Sequence, residues 1–237
     1  MADEKSLQQM TTDFQRMMDD FFTVQCRYSA AMKEVQTKLE ILDDEFQARH
    51  RRNPIHHIES RMKSIQSITE KLRRKGAAVS MQSAVENLTD IAGIRVICSY
   101  VQDVYTVANL LTSQDDVKLL RTRDYIQQPK ANGYRSLHLI VEIPVFLQEG
   151  RIPVPVEVQI RTIAMDFWAS LEHQMKYKQE IPDEKAIMDE LRDCAAVIRE
   201  TDERMLAIRR RIEAASDSPT EEDVLFEKLA RFDIPIQ

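Results

Sequence analysis

The sequence predicts an α/β (α+β) fold, a mixed central β-sheet packed by helices, with long helices towards both ends of the chain. Three observations lead there. Glycine is scarce, four in 237 residues, and Gly93, Gly133 and Gly150 all fall in the middle of the chain. Apolar residues recur at a spacing of three and four in both flanks. Between the flanks the period falls to two. Glycine costs stability inside a helix and is kept for turns and close approaches, so glycine-poor flanks read as helical and the centre as a sheet.

The elements follow in order. Tyr28, Met32, Val35, Leu39, Leu42 and Phe46 alternate steps of four and three, the apolar stripe of a helix that stops before Pro54. A second helix is predicted over residues 58–75, with Ile58, Met62, Ile65 and Leu72 on its apolar side. Strands are predicted at 94–98, 117–121, 136–143 (closed by Pro144) and 156–161. The last alternates strictly, with Val156, Val158 and Ile160 on one face and Glu157, Gln159 and Arg161 on the other. Helices are predicted between them at 101–112 and 163–177. Ile187, Leu191, Cys194, Ile198, Thr201, Met205, Ile208 and Ile212 then form a coiled-coil-like seam, whose outlets are the chain's own N-terminal helix and a neighbouring subunit. The expected organisation is an N-terminal helical extension over 1–50, a core over 51–180, a packing helix over 181–215 and an acidic, amphipathic tail over 216–237.

Bulk properties exclude several classes. A formal charge of −6 argues against a chain that coats DNA, although a local basic patch can still hold a polyanion. Cys26, Cys98 and Cys194 lie far apart among apolar neighbours, which reads as buried thiols in a reducing compartment. The acidic, polar start MADEKSLQQM is no signal peptide, and no apolar run reaches the ~18–20 residues a membrane span needs. A cytoplasmic protein without membrane contact is expected.

Four clusters carry candidate chemistry. Arg61, Ser64, Ser67, Lys71 and Arg74, with Lys63 nearby, fall on one face of the predicted second helix. That is a solvated face or a phosphate-binding comb. Asp90 precedes IAGIRV, where it either caps a helix or offers a carboxylate to Mg²⁺; Arg95 lies within that strand, opposite Ile94 and Val96. Arg121, Arg123, Lys130, Asn132, Tyr134, Arg135 and His138 crowd one segment, a basic hairpin loop or a site for a purine and its phosphates. Glu157, Gln159 and Arg161 form either an ordinary wet strand face or, with Asp90 across the sheet, a second carboxylate for a metal or a base for a hydroxyl.

The combination D-I-A-G-I-R-V (90–96), R-D-Y-I-Q-Q-P-K-A-N-G-Y-R-S-L-H (123–138) and V-E-V-Q-I-R-T (156–162) resembles the RelA/SpoT synthetase domain in motif, order and interval. A-M-D-F-W-A-S-L-E-H (164–173) is similar to the small alarmone synthetases, and N-P-I-H-H (53–57) with I-P-V-F-L (143–147) is closer to their RelP type than to RelQ. The resemblance implies the RelA/SpoT nucleotidyltransferase-like synthetase fold. It also implies a cytoplasmic (p)ppGpp synthetase that moves pyrophosphate from ATP to the 3′-hydroxyl of GDP or GTP with Mg²⁺ as cofactor.

By that resemblance Asp90 and Glu157 are the magnesium acids and the catalytic pair, Glu157 also activating the acceptor hydroxyl. Arg61 is one arginine against adenine, with Arg95 or Arg121 the other, while Lys63, Ser67 and Lys71 meet the triphosphate. Tyr134 stacks on guanine, with Lys130, Asn132 and His138 around the acceptor and Gln159 and Arg161 supporting it. Asp166 stands where RelQ-type relatives carry asparagine, and the R-x-R-D form at 121–124 implies GDP over GTP. The family's hydrolase requires a His-Asp motif, which these residues lack, so synthesis alone is expected. A homotetramer built by the flanking helices is implied, and RNA binding can coexist with catalysis. The rival readings are the same fold with another acceptor, an adenine nucleotide or tRNA, and a non-catalytic nucleotide- or RNA-binding regulator.

Overall fold

The structure, a computed structural model, describes residues 2–50, 53–176 and 183–215. Its elements run α1 (Ala2–His50), β1 (Ile55–Met62), α2 (Ile65–Arg74), α3 (Met81–Asn87), β2 (Ala92–Cys98), α4 (Val101–Thr112), β3 (Lys118–Asp124), β4 (Leu137–Leu147), β5 (Gly150–Thr162), α5 (Ile163–Lys176) and α6 (Glu184–Ala215). The predicted tail over 216–237 lies outside the described residues.

The five strands form one mixed sheet in the order β1-β2-β5-β4-β3. β2 and β5 pair in parallel, and every other pair is antiparallel. One face of the sheet is apolar. Ile94, Val96, Leu139, Val141, Val156, Val158 and Ile160 are buried there together with Tyr28, Val35 and Leu39 of α1 and Val104, Val107 and Leu111 of α4. Each such aliphatic side chain contributes roughly 1.5–3 kcal/mol on burial. The predicted stripe on α1 is thus the one that covers the sheet. Lys38 to Asp116 (2.8 Å) and Arg27 to Glu149 (2.8 Å) tie the same helix to the loop before β3 and to the β4–β5 turn. The opposite face is polar.

Several expectations are corrected. The helix predicted over 58–75 is a strand followed by a shorter helix. Ile58 and Met62 stand four apart, a spacing that keeps them on one side of a strand as well as of a helix. Their partners Val96 and Ala92 are both buried. The boundary is Ser64, extended at φ −66 and ψ 151, whose hydroxyl accepts from the Ser67 amide and caps α2. β4 continues through Pro144 to Leu147, because β3 pairs only as far as Glu142 and a proline is tolerated where a strand has become an edge. β5 starts at Gly150, whose φ of +105 closes the hairpin turn. The short helix α3 gave no periodic signal.

α6 rests chiefly on α5 and α4 rather than on α1. Its buried positions are Leu191, Ala195 and Asp202, with Ile198 half-buried, so the inward stripe runs one residue beyond Cys194 and Thr201. Cys194 is therefore exposed, as is Cys26; Cys98 alone of the three thiols is buried. Among the described residues no helix is long and apolar enough to cross a membrane.

Candidate active site

Strand register assembles the polar face. Glu59, Arg95, Gln159, His138 and Arg123 are successive cross-strand partners from β1 to β3. The neighbouring row is Arg61, Gly93, Glu157, Ile140 and Arg121. Residues up to 102 positions apart in the chain, Arg161 and Glu59, thus share one surface because each has the parity that points away from the core.

Two cavities open on this surface. The first, of about 430 Å³, is lined by Glu59, Arg61, Lys63, Gly93, Arg95 and Gln159. The second, about 170 Å³, is lined by Lys71, Lys75, Arg121, Arg123 and His138. Asp90 and Glu157 line both. The sequence suggests a pairing of these acids across the sheet; in the fold the register partner of Glu157 is Gly93, and Asp90 sits in the loop just before β2.

Each acid is held ionised. Asp90 Oδ2 accepts from Lys63 Nζ at 2.6 Å and from Lys71 Nζ at 2.5 Å. Burial by itself raises the Asp90 pKa, but the two ammonium groups outweigh it and hold the carboxyl below its ordinary value. Its other oxygen, Oδ1, is buried without a hydrogen-bond partner. Glu157 is likewise raised by burial and lowered further by His138 and Gln159, for a net depression. Gln159 Nε2 donates to its Oε2 at 2.9 Å, and His138 Nδ1 stands 3.5 Å from Oε1. Arg161 extends the chain by donating to Gln159 Oε1 at 3.1 Å.

A pair of carboxylates, one with a buried orphan oxygen, suits Mg²⁺, which takes one or two protein carboxylates and completes its shell with phosphate oxygens and water. Among the described residues no group of three His, Cys, Asp or Glu side chains gathers to hold a metal alone. The donor set therefore fits an ion that arrives with a polyphosphate.

Of the remaining predicted residues some divide between the two sides, while Ser67, Lys130, Asn132, Tyr134 and Arg161 line neither cavity. Arg61, Lys63 and Arg95 share the first cavity, while Arg121 and Lys71 line the second, so Arg121 is separated from Arg61. The expected comb on one helix face does not exist as such: Arg61 belongs to β1, Lys63 to the connection, and Lys71 to α2. Ser67 sits in the first turn of α2, its hydroxyl 3.0 Å from Ser64 Oγ, and lines neither cavity. Arg95 pairs with Glu59 at 3.1 Å and with Asp166 at 3.7 Å, and Asp166 also lies 3.5 Å from the buried Arg161.

Tyr134 Oη meets His138 Nε2 at 2.8 Å, and Lys130 Nζ lies over the Tyr134 ring at 4.6 Å and the Tyr125 ring at 4.8 Å. Burial pushes the Tyr134 pKa up. Asn132 is engaged within the loop, donating to Glu172 at 3.0 Å and accepting from the Tyr134 amide at 3.2 Å. Glu59, Lys75 and Tyr125 were not singled out from the sequence. Glu59 carried a signal, since two residues before Arg61 is the same face once the segment is a strand.

The family described as "Region found in RelA / SpoT proteins" matches residues 60–182, the segment from β1 through α5. GTP pyrophosphokinase YwaC of Bacillus subtilis is 44% identical over 201 residues, covering 85% of this chain and 96% of that protein. The chain belongs to the RelA/SpoT family.

Solved RelA/SpoT structures agree with the fold. The small alarmone synthetase 2 of B. subtilis superposes with a TM-score of 0.73 at 44% identity, over 81% of this chain and 99% of that one. The small alarmone synthetase 1 of B. subtilis, bound to its product pppGpp, gives 0.71 at 34% identity over 78% and 94%. The family match takes in both acids and nearly all of both cavity linings in this RelA/SpoT chain; Glu59 lies one residue ahead of it.

Proposed function

We propose that the chain is a synthetase of (p)ppGpp, transferring pyrophosphate from ATP to the 3′-hydroxyl of GDP or GTP and releasing AMP, as part of the stringent response. The observation that carries this reading is the pair of cation-lined cavities that share Asp90 and Glu157. Two polyphosphates can thereby meet at two carboxylates. The name of YwaC, a GTP pyrophosphokinase, and the pppGpp product held by the small alarmone synthetase 1 support the same chemistry.

ATP occupies the first cavity, its adenine between Arg61 and Arg95, whose position beside Arg61 favours it over Arg121 as the second arginine. Lys63 and Lys71, already gathered on Asp90, meet the triphosphate; Ser67, in the first turn of α2, is given to it by the family resemblance alone. The acceptor's guanine stacks on Tyr134, with Lys130, Asn132 and His138 around it and Gln159 and Arg161 behind. Arg121, with Arg123 and Lys75, belongs on this reading to the acceptor's phosphates. Asp90 and Glu157 would hold Mg²⁺, which when bound offsets the charge of the transferring phosphates.

The depressed pKa of Glu157 keeps it ionised at neutral pH, able to take the proton of the 3′-hydroxyl. The 3′-oxygen then bonds to the β-phosphorus of ATP. The bond from that phosphorus to the α–β bridging oxygen breaks and AMP leaves. Cations on both sides supply preorganised stabilisation of the moving charge.

A cytoplasmic location follows from the ATP and GTP it consumes. A homotetramer through the flanking helices is supported by the exposed Met205, Ile208 and Ile212 of α6 and Phe22 of α1. Incubation of the purified protein with Mg²⁺, ATP and GDP or GTP, followed by chromatography of the nucleotides, should give AMP and a 3′-pyrophosphorylated guanine nucleotide in equal amounts. Product from an adenine nucleotide or tRNA instead, or no AMP at all, would overturn the assignment.

A further inference from the structure

Helix α6 lines neither polyphosphate cavity, yet the loop that carries Lys130 and Tyr134 rests directly on it. Gly133 has φ +89, and a Cβ there would stand 2.5 Å from Ala195 Cβ and 3.2 Å from Arg192 Cα. The loop is thus in close contact with α6 at a point where neither side has room for another atom. Tyr134 packs beside this contact on the cluster of Trp168, Ala169, Leu191 and Ala195. Trp168 Nε1 donates to the Leu191 carbonyl at 3.0 Å, which fixes the depth at which α6 sits.

A second attachment lies two turns further along α6. Asp202, 6% exposed, accepts from the Thr162 hydroxyl at 2.8 Å, and that hydroxyl accepts from the Met165 amide at 3.1 Å. Thr162 ends β5 and follows Arg161 directly, so the carboxylate pins the end of the strand that carries the Arg161–Gln159–Glu157 hydrogen-bond chain. Arg135, which follows Tyr134 in the same loop, has Nε and Nη1 buried without hydrogen-bond partners. Burial lowers the pKa of its guanidinium, and the charge of Asp202 acts against that loss.

We propose that Ala195 and Asp202 of α6 are positioning residues for the acceptor nucleotide, Ala195 setting how deep the Tyr134 loop sits and Asp202 anchoring the end of β5 through Thr162. The proposal rests on the pyrophosphate-transfer reading above. Neither residue touches a nucleotide; both act through the groups that do. Coupling of this kind is reciprocal: if docked α6 favours acceptor binding, bound acceptor favours docked α6 by the same factor.

Two variants and one wild-type measurement test it. Ala195→Leu should raise the acceptor KM by about tenfold or more and leave the KM for ATP within about twofold, because the wedge falls on one subsite only. Asp202→Asn retains an oxygen that can accept from the Thr162 hydroxyl; it should show a smaller rise in acceptor KM than Asp202→Ala, which removes that partner. In the wild-type protein, GDP should slow amide hydrogen exchange over residues 187–203 of α6, and a non-hydrolysable ATP analogue alone should not. This last readout needs no variant to fold.

Equal rises in both KM values, or α6 exchange indifferent to GDP, would overturn the proposal while leaving the transfer reaction standing. A wild-type chain that forms no pyrophosphorylated guanine nucleotide would bring down the underlying reading and this inference with it.

Discussion

Glu157 and Gly93 are register partners across the parallel β2–β5 pair, so the carboxylate faces Arg61 over a residue without a side chain. The gap is the floor of the first cavity. Gly93 is not in a left-handed conformation, and a Cβ there would lie 3.8 Å from the Arg61 carbonyl, ordinary van der Waals contact. Its glycine is therefore explained by what must approach the strand rather than by backbone strain.

Gly93→Val should fold and lose donor binding. The KM for ATP is expected to rise by about tenfold or more, equivalent to ~1.4 kcal/mol or more, while the melting temperature stays near that of the wild type. Steady-state kinetics at saturating GDP check this; an unchanged KM for ATP would mean that nothing occupies the space above Gly93.

Asp90 and Glu157 give the fold a pH dependence of definite sign. Both have folded-state pKa values depressed below the ordinary carboxylate range. Their stabilising contribution is fully present above the unfolded-state values, about 3.9 for Asp and 4.3 for Glu, and is lost as pH falls through the folded-state values. Urea melts from pH 6 down to acid should show a steeper loss of stability in the wild type than in Asp90→Asn. Parallel curves would show that Lys63 and Lys71 do not hold the carboxylate as their 2.6 and 2.5 Å contacts require.

Tyr134 should act on the acceptor alone. Base stacking on an aromatic ring is worth about 1–3 kcal/mol, so Tyr134→Ala should raise the KM for GDP or GTP by roughly tenfold or more with little change for ATP. Tyr134→Phe keeps the ring and removes the hydroxyl that meets His138 at 2.8 Å. It should bind the acceptor nearly as well as the wild type. A phenylalanine variant as impaired as the alanine one would assign the effect to the hydroxyl.

The acceptor-side segment at 121–124, R-x-R-D, leads to an expectation of GDP over GTP, and both arginines line the second cavity. Equal concentrations of the two nucleotides in one reaction should yield more ppGpp than pppGpp. The reverse ratio would remove the preference.

Much of this arrangement was legible in single segments. The alternation of Val156 to Arg161 gave both the strand and the side on which Glu157, Gln159 and Arg161 stand. The stripe from Tyr28 to Phe46 gave the helix that covers the apolar face. What failed was read where two periods coincide or where a partner lies far away. Ile58 and Met62 satisfy a strand and a helix equally, and the error hid Glu59 from the site. Asp202 was not singled out, because its partner, Thr162, is 40 residues away, and the seam was read through Cys194 and Thr201 where the buried positions are Ala195 and Asp202. Arg121 could be parted from Arg61 only once the order β1-β2-β5-β4-β3 put their strands at opposite edges.

The shared carboxylates are the centre of the account, and Glu157→Gln tests them most directly. The amide keeps the size of the side chain and cannot take the proton of the 3′-hydroxyl. With Mg²⁺, ATP and GDP, AMP formation should fall by about 10²-fold or more, the range of general-base catalysis, while calorimetry still detects binding of ATP and of GDP. Near-normal formation of the pyrophosphorylated product by this variant would contradict the role given to Glu157 and, with it, the meeting of the two cavities as the place of transfer.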